Sequence, residues 1–200
     1  MSEFEQKQFL QHELVIEEKV DGANLGISFD PRGNIRAQNR GSYLPLPSYG
    51  QWKKLKEWLI PRTDSLFDHL SDRYILFGEW CYAIHSVFYD QLPDWFLGFD
   101  IYDKHAARFL ACSGRDEIFR AIGVSQVPEL NRGHFNLDEL TQLLSKSQLS
   151  DALAEGLYLR FDQGDWLVQR AKLVCPMLIL SVKEHWSRSV MRANRLKMGT

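Results

Sequence analysis

Two strongly apolar segments constrain the fold more than any other feature of the sequence. RYILFGEW, at 73–80, and WFLGFDIYD, at 95–103, consist mainly of aromatic and aliphatic residues. Such segments are too apolar for a protein surface, and their composition favours strands over helices. We therefore predict that both segments are central strands of a sheet.

Further strand patterns lie on either side of these two segments. ELVIEEK and NLGISFD precede the turn signal PRGN, after which IRAQNR continues in strand-like sequence. Together they predict an antiparallel meander. Towards the C-terminal end, the strand-like EGLYLRF, the turn DQGD and the strand-like WLVQRAKLV predict a hairpin.

Three segments between the strands predict helices. GQWKKLKEWLIPR has apolar residues at helical intervals with lysines opposite, and Pro61 ends this helix or begins the next. SGRDEIFRAIG is predicted to begin with Ser113 as N-cap and Asp116 at the capping-box position. FNLDELTQLLSKS is predicted to begin after Asn136 as N-cap.

The chain is predicted to form one α+β domain. Its 200 residues are 44% hydrophobic and 12% aromatic, which is enough to close a core. No linker rich in proline, glycine or serine divides it, so we assign 1–200 to a single domain. Within it, 177–200 is predicted to be a basic helical tail that could contact nucleic-acid phosphates or simply face solvent.

Charge and cysteine content narrow the possible environments. The net charge of −2 excludes a globally basic coat for nucleic acid, although not a local basic groove. The three cysteines lie far apart without metal-ligand spacing, which is typical of a reducing compartment. No signal peptide or membrane-spanning apolar run is present. We therefore predict a cytoplasmic protein without a membrane partner.

The stretch LVIEEKVDGANLGISFD places a lysine, Lys19, inside a strand-like pattern. The simpler interpretation is a solvent-facing lysine paired with Glu17 or Asp21, which share its face of the strand. The alternative is a nucleophilic amine that attacks phosphorus, which requires that the amine be neutral near neutral pH. Gly22 would let the backbone turn close to a bulky ligand.

KVDGAN, from Lys19 to Asn24, resembles motif I of the covalent nucleotidyltransferases, which include the ATP-dependent ligases and the mRNA capping enzymes. The further motifs of that family follow in its order, and the resemblance covers about Leu14 to Val174. They are Arg40 and Gly41 in QNRGSYL, Gly78 and Glu79 in LFGEW, Phe99 and Asp100 in FLGFDIYD, Glu155 and Gly156 in EGLYLR, and Arg170 and Lys172 in QRAKLV.

Within that superfamily the chain most resembles the branch of RNA ligases typified by the second RNA ligase of phage T4. The resemblance implies a nucleotidyltransferase domain of the ATP-grasp-like ligase kind, with antiparallel sheets flanked by helices and no OB-fold. It implies three steps: AMP transfer from ATP to Lys19, AMP transfer to a 5′-phosphate end, and joining to a 3′-hydroxyl.

The resemblance also implies a role for each motif residue. Lys19 would be the nucleophile, Arg170 and Lys172 would bracket the α-phosphate, and Glu155 would hold Mg²⁺ or Mn²⁺. The remaining candidates would bind ATP or nucleic acid: Glu79 the ribose, Phe99 the adenine face, Glu18 or the backbone beside it the adenine edge, Arg40 the ribose or a substrate phosphate, and Asn24 the nucleic-acid ends.

Several alternatives stay open at this stage. Phe99 could be core packing, Glu79 a buried partner of an arginine, and the Arg170 and Lys172 pair a basic strand face. The branch often has histidine in place of Asp21 and more often lysine in place of Arg170. The predicted partners are RNA ends or nicks, or DNA, with an end-healing protein as a further candidate. A DNA ligase, a capping-type nucleotidyltransferase and a non-catalytic nucleotide-binding module are the alternative functions.

Overall fold

The computed structural model describes residues 2–176 and 191–197, which fold into two antiparallel sheets with helices around them. The strands are β1 (Leu14–Lys19), β2 (Ala23–Phe29), β3 (Ile35–Gln38), β4 (Tyr74–Trp80), β5 (Phe96–Asp103), β6 (Arg108–Phe109), β7 (Glu129–Gly133), β8 (Gly156–Gln163) and β9 (Trp166–Val174). The helices are α1 (Glu3–Phe9), α2 (Leu55–Leu59), α3 (Thr63–Leu70), α4 (Cys112–Ile122) and α5 (Leu137–Leu143), with 3₁₀ turns at Gly50–Trp52 and Ile60–Arg62.

The two apolar segments are interior strands, as predicted. They form β4 and β5 of a five-stranded sheet in the order β3-β2-β4-β5-β6. The other sheet has the order β7-β1-β8-β9, and its β8 and β9 are the predicted C-terminal hairpin. The predicted α+β class with antiparallel sheets flanked by helices is therefore confirmed.

The predicted meander is wrong at its first strand. β2 and β3 pair, but β1 lies in the other sheet, between β7 and β8. The chain crosses between the sheets at 20–22. A Cβ at Gly22 would lie only 3.0 Å from the carbonyl oxygen of Trp80, so the crossing passes very close to β4 at this residue. Lys19 ends β1 at this junction.

The helix predictions need two corrections. α4 begins at Cys112, and its cap is supplied from β8, because the amide of Cys112 donates to Oδ2 of Asp162 at 2.7 Å. Ser113 is therefore not the N-cap, and Asp116 instead accepts a hydrogen bond from Arg115. The Asn136 cap of α5 is confirmed as a capping box with Glu139.

The sequence did not reveal α1, α3 or β7, and it predicted one continuous helix where the chain makes two 3₁₀ turns and α2. Pro61 lies inside the second of these turns, at Ile60–Arg62, and α3 follows directly. Proline supports this junction because it lacks the amide hydrogen that a continued α-helix would use.

A buried network of ions joins the two sheets. Glu17 of β1, Asp100 of β5, Arg115 of α4 and Arg160 of β8 are all fully buried. Arg115 Nη1 lies 2.6 Å from Glu17 Oε1, and Arg160 forms an ion pair with Asp100. Both arginines also donate to the carbonyl oxygen of Phe99, at 2.9 and 3.1 Å. The network thus fixes β5 against β1 and β8.

The predicted basic helical tail falls largely on 177–190 and 198–200, which lie outside the described residues. Residues 191–197 are not helical, and they pair with 81–92. Asn194 is almost fully buried there and bonds the backbone of Cys81, Ala83 and Tyr89. In the part of the chain that the structure describes, no helix has the length and hydropathy needed to cross a membrane.

Candidate functional site

Two neighbouring cavities meet at the crossing between the sheets. The first has a volume of about 410 Å³ and the second about 470 Å³. The residues that line both are Lys19, Val20, Asn24, Arg40 and Glu79. The structure therefore brings together residues that are up to 60 positions apart in the sequence.

Every residue that the sequence predicted for the site lines one of the two cavities. Glu18, Phe99, Arg170 and Lys172 line the first cavity, whereas Glu155 lines the second. The residues shared by both cavities include Lys19, so this lysine lies at their boundary. An amine at this position can be reached from either side.

Lys19 is paired with Glu155. Its Nζ lies 2.5 Å from Glu155 Oε2, and the two side chains are only 25% and 19% exposed. Gly156 is opposite Lys19 in the β1–β8 register, so the start of β8 places Glu155 beside the amine. A side chain at Gly156 would collide with the carbonyl oxygen of Leu173. Burial raises the pKa of Glu155, and Lys19 opposes this effect.

Glu79 is a strongly perturbed carboxyl group of the site. It lies opposite Asn24 in the β2–β4 register, and its buried Oε2 has no hydrogen-bond partner among the described residues. Burial raises the pKa of Glu79 to about 8, although the charges of Lys19 and Arg40 oppose the shift. A buried carboxyl oxygen without a partner is costly, and a ligand hydroxyl would satisfy it.

The raised pKa of Glu79 predicts a pH dependence of stability. Between pH 4.5 and about 8 the native state holds a proton that the unfolded state releases, so the free energy of unfolding falls as the pH rises through this window. Glu79→Gln should remove that part of the decline, by at most a few kcal/mol, because one pKa unit corresponds to about 1.4 kcal/mol. Urea unfolding of the wild type and the variant at pH 5, 7 and 9 measures this difference in the free energy of unfolding.

The control for this prediction is Glu57→Gln, which changes an exposed glutamate on α2. We expect the Glu57 variant to follow the wild-type pH profile. If the Glu79 variant also follows that profile, Glu79 is ionised in the native protein at neutral pH and the predicted shift is wrong.

The first cavity has an aromatic wall. Phe99 lines it, and the Tyr158 ring lies 6.4 Å away, centroid to centroid. The carbonyl oxygen of Phe99 is held by the two buried arginines of the network, so the backbone beneath this ring is fixed. Val20 and Val127 add apolar surface. This end of the cavity suits a flat, largely apolar ring.

Arg170 and Lys172 line the first cavity from alternate positions of β9, as their spacing predicted, but their surroundings differ. Arg170 donates to Asp100 Oδ2 at 2.7 Å and to the Tyr158 hydroxyl at 3.1 Å. Lys172 is exposed, and its charge opposes the rise in the pKa of Glu155 that burial causes. Lys172 is therefore the more available cation for an anionic ligand.

Glu18 uses its carboxylate within the protein. It is buried, and its two oxygens accept hydrogen bonds from the Ser147 hydroxyl and the amide of Gln148. Burial raises its pKa, and these hydrogen bonds oppose the shift. The side chain therefore fixes the 147–148 loop, which favours the backbone alternative for any contact with a ligand.

Asp21 has a positioning role that the sequence did not reveal. Its Oδ2 accepts from the amides of Ser86 and Val87, at 2.5 and 2.9 Å, and its own amide donates to the Tyr89 hydroxyl at 2.8 Å. These partners are more than 60 residues away in the sequence, so no local signal could have identified them. The 86–89 loop therefore anchors the segment that follows Lys19.

The side chains of the site could supply only part of the ligand shell of a magnesium-type ion. Among the described residues no group of three histidine, cysteine, aspartate or glutamate side chains is placed to hold a metal. Glu155 lines the second cavity, and Glu79 lines both cavities. Mg²⁺ commonly uses one or two carboxylates and completes its shell with phosphate and water. Glu155 suits that arrangement, whereas burial keeps the proton on Glu79 near neutral pH.

Comparison with known proteins identifies the family. The sequence profile of the RNA ligase family matches residues 12–174. No curated protein sequence gives a significant match. Among solved structures, the chain is similar to the Naegleria gruberi RNA ligase: a variant with ATP and Mn (17% identity, TM-score 0.66), a variant with AMP and Mn (17%, 0.67) and the protein with PPi (19%, 0.65).

These alignments cover 88–90% of this chain but only 54–55% of the N. gruberi protein, so the chain spans about half the length of these relatives. At such identities the likeness establishes the fold, which is the nucleotidyltransferase fold that the motifs predicted. The family profile, in contrast, spans most of the chain in sequence. The protein therefore belongs to the RNA ligase family.

Proposed function

We propose that the protein is an ATP-dependent RNA ligase that uses Lys19 as its nucleophile. The observation that carries this proposal is the position of the Lys19 amine at the boundary of two cavities. One has an aromatic wall and cations that suit ATP, and the other is open to a second substrate. The structures of the N. gruberi RNA ligase with ATP, AMP and PPi support it.

In the first step, the amine of Lys19 attacks the α-phosphorus of ATP. A P–N bond forms, the P–O bond to pyrophosphate breaks, and the amine loses a proton. Glu155 holds the amine in place before attack. Because its carboxylate is already paired with the amine, Glu155 can also accept this proton. Phe99 stacks on adenine, Glu79 receives a ribose hydroxyl, and Lys172 neutralises phosphate charge.

Arg170 has a narrower role in this proposal. Because Asp100 already binds it, Arg170 holds Tyr158 and the adenine end of the cavity in place and adds positive charge at a distance. Glu155 would hold Mg²⁺ or Mn²⁺, which would supply positive charge to the phosphate oxygens when bound.

The next two steps use the second cavity. An oxygen of the 5′-phosphate attacks the phosphorus of lysyl-AMP, the P–N bond breaks, and Lys19 regains its proton. A 3′-hydroxyl then attacks the activated 5′-phosphorus, releases AMP and loses its proton. Arg40 and Asn24 line both cavities and can therefore contact ATP first and the nucleic-acid ends afterwards.

The finer assignments are part of the same proposal. We place the protein in the branch of the second phage T4 ligase, with RNA ends or nicks as substrates and an end-healing protein as a partner. This chain has Asp21 where the branch often has histidine. Because aspartate at this position resembles the DNA ligases, DNA is the alternative substrate. A cytoplasmic location is supported by Cys81, Cys112 and Cys175, all unpaired and buried.

The test is intact-mass measurement after incubation with ATP and Mg²⁺, followed by sealing assays. We expect a protein heavier by one AMP, pyrophosphate release in equal amount, and joined product on RNA strands with 5′-phosphate and 3′-hydroxyl ends. An adduct formed with GTP in preference to ATP would favour a capping-type enzyme. Binding of ATP without an adduct at any pH or metal concentration would contradict the proposal and favour a non-catalytic module.

A further inference from the structure

Lys19 is the last residue of β1, and the chain leaves the sheet directly after it. The pairing of β1 with β8 reaches Lys19, opposite Gly156, and ends there. The placement of the amine between the two cavities therefore depends on β1 before it and on the contacts of 20–22 after it. The loop 81–92, which follows β4, supplies contacts of the second kind.

The loop 81–92 holds the crossing by apolar packing and by hydrogen bonds. Val20 is buried in one apolar cluster with Val87 and Tyr89 of the loop. The carboxylate of Asp21 accepts hydrogen bonds from backbone amides of the loop, and the amide of Asp21 donates to the Tyr89 hydroxyl at 2.8 Å. Tyr89 therefore takes part in both kinds of contact with the two residues that follow the nucleophile.

Tyr89 itself lies behind the site. It is fully buried and lines neither cavity. Burial raises the pKa of its hydroxyl well above the ordinary value, so the group stays neutral and its contact with the amide of Asp21 does not change near neutral pH. An effect of the Tyr89 hydroxyl on the reaction would therefore pass through the main chain at Asp21 and not through the ligand.

Asn194, from the C-terminal end of the described chain, holds the main chain of Tyr89 in turn. Asn194 is almost fully buried, and its Oδ1 accepts from the amide of Tyr89 at 2.8 Å. Its Nδ2 donates to the carbonyl oxygens of Cys81 and Ala83, at 2.8 and 3.2 Å. The carbonyl oxygen of Tyr89 accepts from the amide of Arg195 at 2.9 Å. An asparagine suits this position because it both accepts and donates.

We propose that Tyr89 and Asn194 are positioning residues for the first step, which keep the Lys19 amine aimed at the α-phosphorus of ATP. The inference rests on the proposed function, because it takes Lys19 as the nucleophile. The contacts run from Asn194 to the main chain of Tyr89, and from the Tyr89 hydroxyl to the amide of Asp21, two residues after Lys19. Attack on phosphorus needs an in-line approach, and a misplacement of about 1 Å can cost about 100-fold in rate.

Tyr89→Phe tests the contact with Asp21, because it removes only the hydroxyl and keeps the ring in the apolar cluster. We expect the AMP adduct to form about tenfold more slowly at saturating ATP and Mg²⁺, as followed by intact mass over time. The half-saturating ATP concentration should stay unchanged, because Tyr89 lines neither cavity. The control is Tyr102→Phe, whose ring packs on Phe109 and also lines neither cavity. Equal adduct rates for Tyr89→Phe and the wild type would overturn the proposal.

A second reaction separates positioning of the amine from a general loss of structure. An RNA strand whose 5′-phosphate already carries AMP needs no lysyl-AMP, so its joining to a 3′-hydroxyl reports on the rest of the site. Tyr89→Phe should join this strand at the wild-type rate, whereas partial unfolding would slow both reactions. If joining slows by the same factor as adduct formation, the role of Tyr89 is purely structural and the proposal is wrong.

Asn194→Ala tests the second contact with the same two reactions. The ratio of its adduct rate to its joining rate should fall about tenfold. In the double variant with Tyr89→Phe the ratio should fall no further, because both residues act on the same contact with Asp21. A double loss equal to the product of the two single losses would show that Asn194 does not act through Tyr89. A wild type that forms no adduct contradicts the proposed function itself, which is a different result from equal rates in variant and wild type.

Discussion

Lys19→Ala is expected to abolish the AMP adduct and to lower the rate of ATP-dependent sealing by at least about 10³-fold. The substitution removes the amine that forms the P–N bond in the proposed mechanism. Lys19→Arg should be equally inactive, because a guanidinium stays protonated and cannot act as a nucleophile. Intact mass after incubation with ATP and Mg²⁺ measures the adduct directly.

Two controls keep this expectation specific. Lys54→Ala removes an exposed lysine paired with Glu57 and should leave the adduct unchanged. A strand whose 5′-phosphate already carries AMP bypasses the first two steps, so Lys19→Ala should still join it to a 3′-hydroxyl. An AMP adduct on the Lys19→Ala variant would show that another residue is the nucleophile.

The strands could be predicted from the sequence, but their assignment to sheets could not. An alternating or apolar pattern marks a strand and its buried face, yet it carries no record of the strand that pairs with it. β1 and β2 are therefore recognisable but were predicted to pair, although 20–22 separates them into different sheets. β7, with the sequence ELNRG, has no apolar alternation and gave no signal.

The motifs, which occur in a fixed order, selected residues that line the two cavities, but the local contacts of these residues could not be predicted. The motifs identified Lys19 and Glu155 without indicating that they form an ion pair. They also gave Glu18 and Arg170 roles as ligand contacts. The structure shows that Glu18 holds Ser147 and that Arg170 holds Asp100. Such partners lie 70 or more residues away, where no local pattern can reveal them.

The burial of two arginines was also not predictable from local sequence patterns. Arg160 was part of a predicted strand and Arg115 part of a predicted short helix, and neither was expected to be fully buried. Together they bind the carbonyl oxygen of Phe99, one residue from Asp100. The aromatic wall of the first cavity is therefore held in place by buried charges behind it.

Arg115→Met is accordingly expected to destabilise the protein by about 3–5 kcal/mol, because it leaves Glu17 buried without its nearest partner. Burial already raises the pKa of Glu17 and Arg115 opposes that shift, so its removal raises the pKa further. The native state of the variant then holds this proton to higher pH than the wild type. Its stability should fall more steeply as the pH rises, and the loss should be larger at pH 8 than at pH 5.

Urea unfolding of three variants tests this expectation. Arg132→Met breaks an exposed pair with Glu129 and should cost less than about 1 kcal/mol. The double variant Glu17→Gln with Arg115→Met should recover part of the loss, because no charge is left to bury at position 17. If Arg115→Met costs no more than Arg132→Met, Glu17 is neutral in the native protein. The two sheets would then be held together by apolar contacts and the remaining Arg160–Asp100 pair.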